Sequence, residues 1–294
     1  MSDSEDLQAW VGRTETRHDV IGAERAVALR ATLDTGGASL ANGDALPPLW
    51  HWLYFWDIAP RSGLGRDGHA ALGEFLPPVG PARRMWAGSR VSFPGVLRLG
   101  EPATRVSTIE SVTEKVGRSG RLVFVTVRHE ITGSDGLAIV DAHDIVYREE
   151  TGEDTGVTAS ARPGEPAPDD GAWTEAVEPD PTLLFRYSAL TFNGHRIHYD
   201  RDYARDIEGY DGLVVHGPLL ATLMIGLTGR SWPARRISGF EFRGHRPIFD
   251  TENFTVCGRP ASDEDDVPDS ENAIDVWVAN GDGLLAMKGR TSFD

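Results

Sequence analysis

Apolar and polar residues alternate through Ile131 to Tyr147 (ITGSDGLAIVDAHDIVY) and again through Val278 to Phe293 (VANGDGLLAMKGRTSF), and an Asp-Gly pair interrupts each run. Alternation sends successive side chains to opposite faces of a strand, and Asp-Gly supplies the positive φ of a tight turn, so each run predicts a β-hairpin. The two turn glycines, Gly136 and Gly283, lie 147 residues apart. Upstream, SRVSFPGVLRLGE (Ser89 to Glu101) and SGFEFRGHRPIFD (Ser238 to Asp250) stand at nearly the same offset, so the order of elements repeats, as a duplicated unit would.

Each half carries one helical candidate ahead of its strands. In the first it is Pro48 to Asp57 (PLWHWLYFWD), dense in tryptophan and aliphatic residues. In the second it is Pro218 to Thr228 (PLLATLMIGLT), where a proline suits the first turn and Leu219, Leu220, Leu223, Met224 and Leu227 recur at helical spacing as a core stripe. A buried helix followed by four or five antiparallel strands, twice over, predicts an α+β chain: a double hot dog in which two antiparallel sheets each wrap a central helix and pair edge to edge. The boundary is expected between residues 1–152 and 153–294. It falls inside Arg148 to Trp173, a stretch of Glu, Asp, Gly, Pro, Ser and Thr too polar to build a core, although part of it is left open as a strand.

The formal net charge of −16 over 294 residues argues against binding to nucleic-acid backbones, which needs clustered positive charge. Of the 29 basic residues only Lys115 and Lys288 are lysines, so positive charge comes almost wholly from arginine, the side chain suited to paired bonds with carboxylate or phosphate. Cys257 is the only cysteine, which excludes an internal disulfide and a multi-cysteine metal centre. The acidic start MSDSEDLQAW lacks the basic and apolar regions of a secretory signal, and a soluble cytoplasmic protein is expected.

Chemistry concentrates in Phe185 to Asp200 (FRYSALTFNGHRIHYD), with two histidines, an asparagine, two arginines and an aspartate beside aromatic residues. From Tyr187 to Asp200 this stretch resembles the hydratase 2 motif of the MaoC-like dehydratases, YAxxSGDxNPLHxD. Tyr187, Thr191, Asn193, His195, Ile197, His198 and Asp200 fall without a gap on its Tyr, Ser, Asp, Asn, Leu, His and final Asp. Two departures matter: the motif's aspartate is Asn193 here, and its Asn-Pro is His195-Arg196. Together with WVGR (Trp10 to Arg13), FLPPVGPARRMWAGSRVSF (Phe75 to Phe93) and EGYDGLVVHGP (Glu208 to Pro218), the altered motif resembles the double hot dog proteins with a FAS1-like dehydratase N-terminal domain.

The resemblance implies hydration or dehydration of an acyl thioester, with short branched dicarboxylic enoyl groups (mesaconyl-C4-CoA, itaconyl-CoA) expected first. A 3-hydroxyacyl dehydratase for fatty or polyketide-like chains on CoA or acyl carrier protein, and a non-catalytic thioester binder, remain as alternatives. By residue type, His198 is expected to move the proton, and Asn193 to orient water through its amide. His195 is a second proton-transfer candidate, and the N–H of Gly217, at a helix start, is expected to face the thioester oxygen. Asp200 either caps the next helix or fixes a histidine tautomer. Tyr187, Arg196, Arg84, Trp86, His216, Arg243 and Arg246 are expected around the substrate, with Arg83 a further arginine candidate. Phe75 to Trp86 is expected as a lid or tunnel wall. No metal and no cofactor beyond the substrate's coenzyme A is expected, and a homodimer is left open.

Overall fold

A computed structural model describes residues 6–80, 82–117, 120–149, 164–261 and 272–294. The expected boundary at 152/153 lies outside the described residues. Strand β1 (Thr14–Val20) and helix α1 (Ala23–Thr32) open the first half, followed by β2 (Ala82–Ser92), β3 (Pro102–Gly117), β4 (Gly120–Gly133) and β5 (Gly136–Glu149). The second half repeats the order with β6 (Trp173–Val177), α2 (Pro181–Thr191), α3 (Gly217–Ser231), β7 (Ile237–Gly244), β8 (Phe254–Pro260), β9 (Ala273–Ala279) and β10 (Leu285–Phe293). The opening strand-helix pair is a part of the duplication that the hairpin patterns do not reveal.

Both Asp-Gly hairpins form, β4–β5 around Gly136 (φ +105°) and β9–β10 around Gly283 (φ +75°). All ten strands make one sheet in the order β1-β3-β4-β5-β2-β7-β10-β9-β8-β6. The halves meet where β2 pairs antiparallel with β7, from Gly88 opposite Arg243 to Ser92 opposite Gly239. Gly88 is required there, because a Cβ on it would stand 2.2 Å from the Phe242 carbonyl oxygen. The architecture is the α+β double hot dog, its two sheets fused through this seam.

The two halves differ in their centres. Helix α3 buries Leu219, Leu220, Leu223, Met224 and Leu227 against its sheet. The helix expected over Pro48 to Asp57 is instead a single 3-10 turn, Trp50–Leu53. Leu49 (φ +67°) and Phe55 (φ +58°) are both left-handed, and a helix cannot run through either. The first sheet therefore has no long helix across its concave face among the described residues. That face carries Arg84, Trp86, His129, Asp141 and His143, which open onto a cavity. Asp141, 1% exposed, accepts from Trp52 Nε1 at 3.0 Å and lies 3.4 Å from His51 Nε2.

Candidate active site

A cavity of about 1620 Å³ lies between the halves, lined on one side by Arg84, Trp86, His129 and His143 and on the other by Asn193, His195, His198 and Gly217. Helix α2 delivers the motif. Asp180 caps it by accepting from the Leu183 N–H at 2.7 Å, Pro181 fills the first turn, and Phe192 ends it in the left-handed conformation. The Asn193 side-chain oxygen then accepts from the His195 N–H at 3.0 Å, closing a tight turn. The short turn Arg196–His198 sends Ile197 into a small core with Tyr203, Val214 and Phe249, so that His198 faces the cavity.

His198 is fixed twice. Its Nδ1 donates to the Val214 carbonyl at 2.7 Å, and its ring stacks on His216 at 3.7 Å. Nε2 is thus the nitrogen left with a free lone pair. Burial pushes the imidazole down to about 4, against the opposing bond to Val214. His195 is pushed down to about 2 by burial and by the neighbouring His69 and His198, and burial holds His216 well below the usual histidine range. Neutral imidazoles can accept protons near neutral pH.

The same burial sets an acid limit on stability. His143 and His198 are both pushed down to about 4 by burial, whereas an unfolded histidine titrates near ~6.5. The unfolded chain binds more protons between these values, so the stability present above about pH 6.5 is lost as pH falls toward about 4. Thermal melts should give a clearly lower Tm at pH 5 than at pH 7.5, and equal melting temperatures would contradict this.

Gly217 is the first residue of α3, so its N–H has no partner within the helix, and it lines the cavity. Arg83, Arg84, Trp86 and Arg246 also line the cavity, Arg83 paired to Glu208 at 3.2 Å. Four expected substrate-contacting residues do not. Tyr187, 1% exposed, is hydrogen-bonded to Thr222 inside the core, and His216 sits behind His198 with its Nε2 2.8 Å from Ser188 Oγ. Arg196 binds Asp200 at 2.7 Å and lies over the Tyr203 ring, turned away from the cavity. Arg243 is exposed at the seam. Asp200 has the capping role: its Oδ1 accepts from the Tyr203 N–H at 3.0 Å.

One element of the site is absent from the sequence reading. The loop around Leu64 to Ala70, from the first half, docks against the Arg196–His198 turn: the Arg196 N–H donates to the Asp67 carbonyl at 2.9 Å, and Arg196 Nη1 donates to the Arg66 carbonyl at 3.2 Å. Gly68 (φ +90°) touches Gly194 so closely that a Cβ on it would lie 2.0 Å from the Gly194 carbonyl oxygen. The loop thereby presents His69 to the cavity, its ring 4.3 Å from that of His195, which lies 5.4 Å from that of His198. His69 Nδ1 is 2.7 Å from an Asp67 carboxylate oxygen. Burial would raise the Asp67 carboxyl, but the bond and charge of His69 outweigh it and hold Asp67 well below the usual carboxylate range. Asp67, His69 and His195 also bring donor atoms within 4.8 Å of one another, a spacing that a cation can use. The local sequence RDGH gives the pair its spacing but no hint of its neighbour His195, 126 residues beyond His69.

The sequence profile of the hydroxyacyl-thioester dehydratase type 2 family matches residues 49–250. The mesaconyl-C(4)-CoA hydratase of Chloroflexus aurantiacus is 47% identical over 283 residues, covering 95% of this chain and 99% of that protein. Among solved structures, a MaoC-like dehydratase superposes with a TM-score of 0.69 at 14% identity over 97% of this chain and 99% of its own. A Mycobacterium tuberculosis protein described as a double hot dog does so at 0.57 and 13% identity, over 96% of each chain.

Proposed function

The chain belongs to the hydroxyacyl-thioester dehydratase type 2 family and is a hydro-lyase, and on that premise we propose that it reversibly hydrates a short branched dicarboxylic enoyl-CoA of the mesaconyl-C4 type to the corresponding 3-hydroxyacyl-CoA. The observation that carries this reading is His198, a neutral imidazole with its Nδ1–H tied to Val214 and its Nε2 free, in the cavity that Gly217 also lines. Water gives one proton to His198 Nε2 as its oxygen bonds to Cβ, and the double-bond pair moves onto the thioester oxygen. The Gly217 N–H at the start of α3 stabilises that enolate. His198 then returns the proton to Cα, so that one hydrogen and one hydroxyl are added and nothing else changes.

The acyl group is assigned from charge. In a mesaconyl-C4 thioester the free carboxylate sits on Cβ, the carbon that takes the hydroxyl. Arg84 lines the cavity, its charge adds to the burial that lowers both His69 and His143, and among the described residues no carboxylate is paired with it. Replacing Arg84 by methionine should raise KM for mesaconyl-C4-CoA by roughly tenfold or more, the loss of one charge-assisted pair, and change KM for crotonyl-CoA little. The test follows the loss of enoyl-thioester absorbance with mesaconyl-C4-CoA, itaconyl-CoA and crotonyl-CoA side by side, and crotonyl-CoA as the best substrate would refute the dicarboxylic assignment. A second reading, dehydration of longer 3-hydroxyacyl chains on CoA or acyl carrier protein, is favoured by the space left where the first half lacks its helix. The polar row of His129, Asp141 and His143 in that space weighs against an alkyl tail.

Arg246, which lines the cavity with Glu165 and His245, is proposed to meet the coenzyme A phosphates. The first half shapes the pocket and the second supplies the motif, in a cytoplasmic protein that needs no further cofactor. No helix among the described residues is long and apolar enough to cross a membrane.

A further inference from the structure

We propose that the Asp67–His69 pair, supplied by the first half, is the second proton-acceptor group of the active site and stands in for the carboxylate that the motif has lost at Asn193. The inference rests on the hydratase reading given above. Water held for attack on Cβ needs an acceptor for each of its two hydrogens. His198 Nε2 provides one. Asn193 is a poorer acceptor than an aspartate, because its one side-chain oxygen already accepts from the His195 N–H at 3.0 Å and its other terminal atom is an NH2 that only donates.

His69 lines the same cavity as His198 and Asn193. Its Nδ1–H is taken by Asp67 at 2.7 Å, which leaves the Nε2 lone pair as its acceptor. Burial and the Arg84 charge lower this imidazole, and the Asp67 bond opposes them. The loop is built to hold this ring in place. It is tied to the catalytic turn through the Arg196 N–H to the Asp67 carbonyl, through Arg196 Nη1 to the Arg66 carbonyl, and through the Gly68–Gly194 backbone contact that no side chain would permit. These contacts join the carrier loop to the residues flanking His195 and His198.

In the hydration step one water hydrogen passes to His198 Nε2 and from there to Cα. The other stays on the new hydroxyl, held by His69 Nε2, and no proton is gained or lost. His69 is thus a catalytic residue, and Asp67 a positioning residue acting through it.

The test measures kcat, KM and Tm with mesaconyl-C4-CoA for the wild-type chain, His69→Ala, Asp67→Asn, and His69→Ala combined with Asn193→Asp. Wild-type turnover is read first. Its absence would sink the hydratase reading and this inference with it, whereas its presence lets the variants judge the dyad alone. Loss of the second acceptor should lower kcat about a hundredfold in His69→Ala, and about tenfold in Asp67→Asn, with KM and Tm close to wild type. Added imidazole or the Asn193→Asp substitution should restore at least about tenfold of the His69→Ala loss, since either returns an acceptor to the water. Retention of kcat within about threefold in His69→Ala, or a loss that neither imidazole nor Asn193→Asp reverses, would overturn the proposal. So would wild-type activity that a chelator abolishes and zinc restores, which would make Asp67, His69 and His195 a metal centre.

Discussion

Replacing His198 by alanine is expected to lower kcat for enoyl-CoA hydration by about a thousandfold, within the range of general acid-base groups, while KM changes little. On the proposed mechanism the imidazole takes a proton from water and hands it to Cα, whereas the bulk of the cavity lining lies elsewhere. The structural cost should be small. Among the described residues the side chain makes a hydrogen bond to the Val214 carbonyl and ring contacts with His216 and, edge-on, with His195. His198→Gln keeps a polar group of similar reach but carries no proton-accepting nitrogen, so it should be as inactive as alanine. If His198→Gln turned over near the wild-type rate, position 198 would hold substrate rather than move a proton.

Replacing Gly88 by valine should cause the largest loss of stability among single substitutions at the seam. A Cβ at this position would stand 2.2 Å from the Phe242 carbonyl oxygen and 3.2 Å from the Arg243 Cα. Both obstacles are backbone, so β2 and β7 must separate where the halves are joined. Overpacking of this kind costs about 3 kcal/mol, and for a chain of this size each kcal/mol lowers Tm by roughly 2 to 4 °C. The melting temperature should therefore fall by roughly 6 to 12 °C. Activity measured well below the transition should fall as well, because the cavity is lined from both sides of the seam. An unchanged Tm would mean that the strands do not approach as described.

The features legible in the sequence are those carried by local pattern. Hairpins written as alternation around Asp-Gly are present at Gly136 and Gly283, and the leucine stripe of α3 lies where its spacing places it. The helix expected at Pro48 to Asp57 is missing because apolar density says that a segment is buried but not which backbone it adopts. Left-handed Leu49 and Phe55 impose a compact turn, and no residue type there announces it. The motif placed Asn193, His195 and His198 together on the cavity wall. It misdirected Arg196, whose charge is consumed by Asp200 four residues later, a pairing at helical spacing that the sequence permits but does not demand. Tyr187 and His216 belong to the same stretches as cavity residues, yet they lie on the inner side, where they support His198 from behind.

Asp67 and His69 were illegible for a different reason. Their proximity to His195 is made by a loop from one half crossing to the other, and the clearest trace in the sequence is a pair of glycines, Gly68 and Gly194, whose contact appears only in three dimensions. The polar row His129, Asp141 and His143 was likewise hidden, since alternation in ITGSDGLAIVDAHDIVY gives the faces of a strand but not that one face lacks its covering helix.

On the proposed mechanism, one imidazole carries a proton from water to the α carbon of a conjugated thioester. Hydration of mesaconyl-C4-CoA in D₂O, with the product analysed by mass spectrometry, reads that transfer directly. The wild-type protein should place one deuterium on Cα per turnover, and a folded His198→Ala protein should form almost no product. Deuterated product at the wild-type rate from His198→Ala would contradict the account.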